Sequence, residues 1–340
     1  MSEKVALITG AAGMAGSTLI DYILENNPEY RIIACIRRHS NIDNIKHLQE
    51  PDIAGKRVVF EQLNLEDAHE VGRSIEFYQP DKLFALGAQS YVPQSWKSPA
   101  ETIETNIIGA VNILEAVRRY AKDCVVQLAG SSEEYGMVYP EETPIKETNP
   151  LRPLSPYGMT KVAQENLGYI YNKSYGVKTI LTRGFNHEGP RRGEEFVTSQ
   201  ICKQAAEIVC GKREKFCLGN LEAKRDYTDV RDMVRAYWLL TEKGEFGTPY
   251  NICSENCYAI KGLVHSVAKI AHISEEVVQD LNRMRPADVE ILYGDCSKLK
   301  KQIDWKPEYD FINDTLVGMF ESWMFKLTNE PTTKFFIEKE

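Results

Sequence analysis

The chain has 340 residues, 43% of them hydrophobic and 26% charged, with a formal net charge of −8 at pH 7. That length accommodates one large α/β unit or two coupled lobes; no apolar run approaches the ~18 residues that span a bilayer, and no signal-peptide pattern opens the chain. The acidic balance argues against a general nucleic-acid or membrane surface, so any anionic ligand has to be held by local basic clusters.

In chain order, "KVALIT" (4–9), "RIIACI" (31–36), "RVVF" (57–60), "KLFAL" (82–86), "CVVQLA" (124–129) and "VKTILT" (177–182) are short, apolar and rich in β-branched residues. Helical patterns lie between them. In 100–120, Ile103, Ile107, Ala110, Ile113, Leu114 and Val117 form one apolar face. Buried strands alternating with helices predict an α/β protein, a Rossmann-type doubly wound parallel sheet. From about Arg183 the chain becomes irregular and rich in charges and turn residues ("NHEGPRRGEE", "LGNLEAKRD", "RMRPADV"). This predicts a dinucleotide-binding unit over 1–182, a smaller lobe over 183–330 closing on the carboxyl edge of the sheet, and a loosely held tail at 331–340. The eight cysteines are scattered through apolar segments. Cys253 and Cys257 lack the companions of a metal site, so reduced thiols in the cytoplasm are expected.

Three places carry chemistry. Gly10, Gly13 and Gly16 follow the first strand and open a helix in "TGAAGMAGSTL", with Met14 inside the turn. Glycines there let the backbone approach a pyrophosphate whose charge sits at the helix N-terminus. The second strand runs into Arg37, Arg38, His39 and Ser40 rather than an acidic residue. Guanidinium groups suit a 2′-phosphate, which points to NADP over NAD; the alternative is a solvated basic loop. In "SPYGMTK", Tyr157 and Lys161 are one helical turn apart. A tyrosine with pKa ~10 is a poor base at neutral pH until a nearby ammonium stabilises its phenolate.

Together with "RRHSNIDNIKHL", "LGAQSYV", "SSEEYG", "LRPLSPYG", "FNHEGPRRGEEFVT", "LGNLEAKRD" and "RPADVEILYGD", these motifs resemble, over nearly the whole chain, the extended short-chain dehydrogenase/reductases that act on nucleotide sugars. Within them the chain is similar to the GDP-mannose 4,6-dehydratases and their relatives, the GDP-4-keto-6-deoxymannose reductases. Ser131, Ser132 and Glu133 stand where the dehydratases usually carry Thr-Ser-Glu, and Asn64 where an aspartate near the adenine is common.

The resemblance implies that Tyr157 takes the sugar O4 proton as hydride leaves C4 for the cofactor. Glu133 then moves the C5 proton to the departing C6 hydroxyl, and the hydride returns to C6. It assigns Ser131 to O4, Ser132 to the place of a separate acid, and Leu86 and Ala88 to the cofactor. It assigns Ser90, Asn186, Arg191 or Arg192, Asn220, Arg225 and Arg285 to the GDP-sugar. Strand alternation turns Glu134 away from Glu133, as a structural or solvent-facing carboxylate. His187, with no metal-like companion, reads as a hydrogen-bonded structural residue. Three activities stay open: a dehydratase acting on GDP-mannose or a GDP-manno-heptose, a reductase consuming NAD(P)H, and a non-catalytic dinucleotide-binding regulator. The resemblance also implies a homodimer through the 100–120 helix and the Tyr157 helix, where Leu167, Ile170 and Tyr171 extend the apolar surface. It implies a homotetramer through the loop from Arg37 to Asn44.

Overall fold

The computed structural model describes residues 3–281, 289–330 and 332. The expected tail at 331–340 therefore lies, apart from Thr332, outside the described residues. Strands β1 (Lys4–Thr9), β2 (Tyr30–Ile36), β3 (Val58–Gln62), β4 (Lys82–Ala85), β5 (Val125–Ser131) and β6 (Lys178–Gly184) alternate with helices. These are α1 (Met14–Asn26), α2 (Ala68–Tyr78), α3 (Val92–Lys97), a long helix of α4 (Pro99–Ile103) and α5 (Gly109–Tyr120), and α6 (Pro156–Tyr175). Beyond them run β7 (Asn186–Glu188), α7 (Val197–Val209), β8 (Phe216–Leu218), β9 (Lys224–Asp229), α8 (Val230–Lys243) and β10 (Pro249–Ile252). The chain continues through β11 (Cys257–Ala259), α9 (Ile260–Ile270), β12 (Val277–Gln279), β13 (Ile291–Leu292), α10 (Ser297–Ile303) and α11 (Val317–Thr328).

The central sheet is parallel and seven-stranded, in the order β10-β6-β5-β4-β1-β2-β3. Alternate residues of each strand feed opposite cores, as the two-residue period of a strand requires. Ala6, Ile8, Ile32, Ala34 and Phe84 pack under α1 and α8, whereas Leu7, Ile33, Leu83, Val126 and Leu128 pack under α2 and α5. Strand order reverses between β1 and β4, and open α/β sheets bind ligands at such a point.

The division at residue 182 follows the chain and not the sheet. Helix α8 returns to cover the β1–β4 region and β10 adds the edge strand beside β6. "PYNI" is too short to stand out as a strand in sequence, and its burial comes from docking on β6. In α8, Trp238 stacks on Phe84 (5.9 Å between ring centroids) and meets Tyr30 edge-on (4.9 Å). The buried ammonium of Lys82 lies 4.6 Å from the Trp238 ring and donates to Thr241 Oγ1 at 2.7 Å. A separate core of α7, β8, α9 and α11 builds the smaller lobe.

The apolar face read over 100–120 holds only in its second half. A π-turn, Glu104–Ile108, joins α4 to α5 and inserts an extra residue into the helical repeat. Upstream of α5 the buried residues are Thr102 and Asn106, while Ile103 and Ile108 are exposed.

Truncating Trp238 removes the ring that locks α8 to the sheet. We expect Trp238→Ala to cost about 3–5 kcal/mol of stability, as large buried aromatics do; a shift below about 1 kcal/mol in guanidinium denaturation contradicts this role for α8.

Candidate active site

β1 ends at Thr9 and the chain turns through Gly10, whose φ of +66° favours glycine. A Cβ on Gly10 would lie 2.9 Å from the Gly87 backbone, and one on Gly16 would lie 2.3 Å from the Gly10 carbonyl oxygen. The turn is thus closed on itself, with Gly13 N donating to Gly10 O at 2.9 Å. Gly13 caps α1 without a side-chain hydrogen bond, so the first amides of this helix face an open cradle. Such a cradle fits the pyrophosphate of a dinucleotide.

The cradle opens into a cavity of about 970 Å³ that extends across the ends of β1, β2, β4, β5 and β6 to the smaller lobe. Gly10, Gly13, Met14, Gly16, Arg37, Leu86 and Ala88, the residues expected to hold a cofactor, line the end beside the cradle, joined by Ser40 and Asn64. Arg38 is exposed and lies outside the lining. Arg37 N donates to Ser40 Oγ at 3.1 Å, which folds the basic loop back at the cavity rim.

Helix α6 is delimited by its own sequence. Ser155 Oγ accepts from Gly158 N (3.0 Å), Pro156 occupies the first turn, and Gly176 ends the helix at a φ of +73°. A Cβ on Gly158 would come within 2.6 Å of the Glu133 carbonyl oxygen, so glycine lets the helix press against the end of β5. This places Tyr157 and Lys161 beside Ser131 and Glu133, and all four line the cavity. Burial pushes the Tyr157 phenol well above its usual range, with the neighbouring Ser131 hydroxyl pulling the other way. Lys161 Nζ donates to Ala129 O (2.6 Å) and Gln164 Oε1 (3.0 Å), and burial lowers its pKa to about 8.

The segment after Ser131 is a 3₁₀ turn, Ser132–Glu134, and not a continuation of the strand. Strand alternation therefore does not apply there. Ser131 Oγ accepts from Glu133 N (3.2 Å), and Glu134 Oε1 accepts from Ser131 N (2.7 Å), a reciprocal cap. Glu134 does turn away from Glu133, but into the protein: it is fully buried, 3.8 Å from Arg183 Nε. The solvent-facing alternative for it is excluded. Ser132 is buried and does not line the cavity.

At the other end, Ser90, Asn186, Arg192, Asn220 and Arg225 line the cavity. The Arg192 guanidinium lies 3.4 Å from the centre of the Phe196 ring and its Nε 3.2 Å from Glu188 Oε2; Phe196 in turn meets Tyr91 edge-on. Of the two adjacent arginines only Arg192 belongs to the lining. Arg191 pairs with Asp21 on α1 at 2.6 Å. Arg285 lies outside the described residues. His187 lines the cavity with Nδ1 3.0 Å from Phe185 O, and burial followed by the Arg192 charge lowers its pKa to about 4, so it is neutral near pH 7.

The sequence reading passed over Asn106. Its Oδ1 accepts from Gln89 N (2.9 Å), and its Nδ2 donates to Thr160 Oγ1 (3.0 Å) and Gln89 O (3.1 Å). It thereby ties the loop after β4 to α6 one turn from Tyr157. The available signal was an amide interrupting an apolar helix face, in "TNII".

A Rossmann sheet whose glycine turn and Tyr157–Lys161 pair open on one cavity defines an extended short-chain dehydrogenase/reductase. A family model described as GDP-mannose 4,6 dehydratase matches residues 7–316. GDP-mannose 4,6 dehydratase 1 of Arabidopsis thaliana is 34% identical over 319 residues, covering 91% of this chain and 87% of its own. GDP-mannose 4,6-dehydratase of Vibrio cholerae is 32% identical over 339 residues, covering 90% of each. The structure of RMD from Pseudomonas aeruginosa complexed with NADPH superposes with a TM-score of 0.82 at 26% identity, over 95% of this chain and 99% of that one. The chain belongs to the GDP-mannose 4,6-dehydratase family. It is an enzyme family that works with a nicotinamide dinucleotide. Among the described residues no helix is long and apolar enough to cross a membrane.

Because a methyl group on Gly16 collides with the backbone of the cofactor turn, Gly16→Ala should weaken nicotinamide dinucleotide binding by about tenfold or more. Calorimetric titration reads this directly, and an unchanged dissociation constant contradicts the placement.

Proposed function

We propose that the protein is an NADP-dependent GDP-sugar 4,6-dehydratase acting on GDP-mannose and forming GDP-4-keto-6-deoxymannose. The observation that carries this reading is Glu133, a carboxylate on the cavity wall beside Ser131 and Tyr157. A simple oxidoreductase needs only the tyrosine and lysine; a second proton-transfer group fits an elimination.

The glycine cradle, Arg37, Leu86, Ala88, Tyr157 and Lys161 hold the cofactor, which when bound accepts hydride from C4 and returns it at C6. Tyr157 takes the O4 proton, and the Lys161 ammonium stabilises the phenolate that a buried site otherwise disfavours. Ser131 hydrogen-bonds O4. The C4 ketone acidifies C5–H; Glu133 removes that proton and passes it to the C6 hydroxyl, which departs as water. The proton held by Tyr157 is returned at C5, so sugar and enzyme both balance. Ser90, Asn186, Arg192, Asn220 and Arg225 hold the sugar and diphosphate, the arginines through their planar donor forks. Arg285 stays with them on resemblance alone.

Arg37 and Ser40 at the cavity rim support NADP over NAD. The exposed Ile103, Ile108, Tyr169 and Ile170 on the long helix and α6 support a homodimer through these helices. Tyr171 is engaged internally, donating to Glu115 at 2.8 Å, and belongs to the subunit's own packing. In the Arg37–Asn44 loop proposed for a homotetramer, Asn44 Nδ2 bonds Ala12 O and Arg191 O of its own subunit. Buried free thiols at Cys35, Cys124, Cys202, Cys253 and Cys296 support a reducing, cytoplasmic location.

Incubation with GDP-mannose and no added cofactor should give a product lighter by one water. Glu133→Gln should abolish that loss and the incorporation of solvent deuterium at C5 while leaving nucleotide binding intact. Turnover that instead consumes NADPH with a 4-keto sugar contradicts the dehydratase and indicates the reductase. Arg37→Ala should lose about 1.5–3 kcal/mol of preference for NADP over NAD, as a charge-assisted contact does; equal affinities in the unmodified protein contradict NADP dependence.

A further inference from the structure

Lys161 sits in an unusual electrostatic position. Lys161 is 3% exposed, and both acceptors of its ammonium, Ala129 O and Gln164 Oε1, are neutral. An ammonium stripped of water and given only dipoles tends to lose its proton. The carboxylate acting on it across the end of β5 is Glu134. Glu134 lies against Gly130, the residue after the carbonyl that holds Lys161: a Cβ on Gly130 would be 2.4 Å from Glu134 Oε1. Glycine at that position is therefore what admits the carboxylate.

We propose that Glu134 is a positioning residue that keeps Lys161 an ammonium while clamping the Ser131–Glu133 turn. It acts through Lys161 and Ser131, and touches no substrate. The clamp is the bond from Ser131 N to Glu134 Oε1, while Oε2 has no hydrogen-bond partner and faces Arg183 at 3.8 Å. Arg183 does not depend on Glu134, because Glu165 on α6 takes its guanidinium through two bonds of 2.7 and 2.6 Å.

The surrounding charges set the sign. Burial and then Glu165 raise the Glu134 pKa, opposed by Arg183, the Ser131 amide and Lys161. Tyr135 packs beside Arg183 and is neutral, its phenol raised by burial. Tyr157 feels Glu133 and Glu134, which raise it, and Arg192, which lowers it. Burial favours loss of the Lys161 proton, and the negative charge of Glu134 opposes it. Removing the charge must let Lys161 deprotonate at lower pH.

The test uses the NADP complex of the full chain with 13Cε-labelled lysine, the Lys161 resonance being assigned with Lys161→Arg. Glu134→Gln keeps an oxygen for Ser131 N and leaves Arg183 with Glu165, so it should fold and bind NADP as the unmodified protein does. We expect its Lys161 to titrate at distinctly lower pH, and the descending limb of the kcat profile on GDP-mannose to move the same way. At the pH of that limb kcat should fall about tenfold with KM nearly unchanged. Glu134→Asp, which retains the charge, should restore most of the Lys161 titration. An unmoved Lys161 titration in Glu134→Gln, or an equal shift in Glu134→Asp, overturns the proposal. The kinetic arm rests on the dehydratase reading and the lysine titration does not. Inert GDP-mannose with a shifted lysine refutes that reading and leaves this one standing.

Discussion

At the end of β5 the chain must leave a parallel sheet, satisfy the amides released from pairing and deliver polar side chains to a cavity. The bond from Ser131 N to the buried carboxylate of Glu134 meets those demands together. It turns the strand into a tight 3₁₀ turn, so Ser131 ends the strand and Glu133 reaches the cavity wall. Burying a carboxylate is costly, and burial and then Glu165 raise the Glu134 pKa; Arg183, the Ser131 amide and Lys161 offset part of that cost. Two glycines complete the constraint: Gly130 leaves room for the Glu134 oxygen, and Gly158 lets α6 rest on the Glu133 backbone.

The rest of the molecule holds that junction in place. β5 is flanked by β4 and β6 in the middle of the sheet, covered by α5 and α6 on one face and α8 on the other. The glycine cradle lies one strand beyond β4, where the strand order reverses. The smaller lobe contributes Asn220 and Arg225 to the cavity without entering the sheet, whereas α8 and β10 bind the second half of the chain to the first. The residues proposed for hydride chemistry and those proposed for substrate binding thus line one cavity.

Much of this was legible in the sequence because it is local. The sheet strands from β1 to β6 announce themselves as apolar runs, and the glycine turn and Tyr157–Lys161 spacing follow from backbone geometry. What depends on partners distant in sequence was not legible. β10 is a strand only because β6 lies beside it. Arg191 and Arg192 are indistinguishable in sequence, and the difference between them comes from Asp21 and Phe196. Ser132 and Glu134 follow a turn rather than the strand period of the run before them, and the π-turn leaves Ile103 at the surface. Asn106 became informative once its partners Gln89 and Thr160 were in view.

The central claim is that one cavity removes a hydride from C4 of a GDP-sugar and places it on C6 of the same molecule, with Tyr157 and Glu133 moving the protons. Turnover of GDP-mannose deuterated at C4, analysed by NMR of the product, tests it most directly. The account predicts deuterium at C6, undiluted by unlabelled NADPH in the medium. Deuterium retained at C4, or lost to the medium, contradicts it.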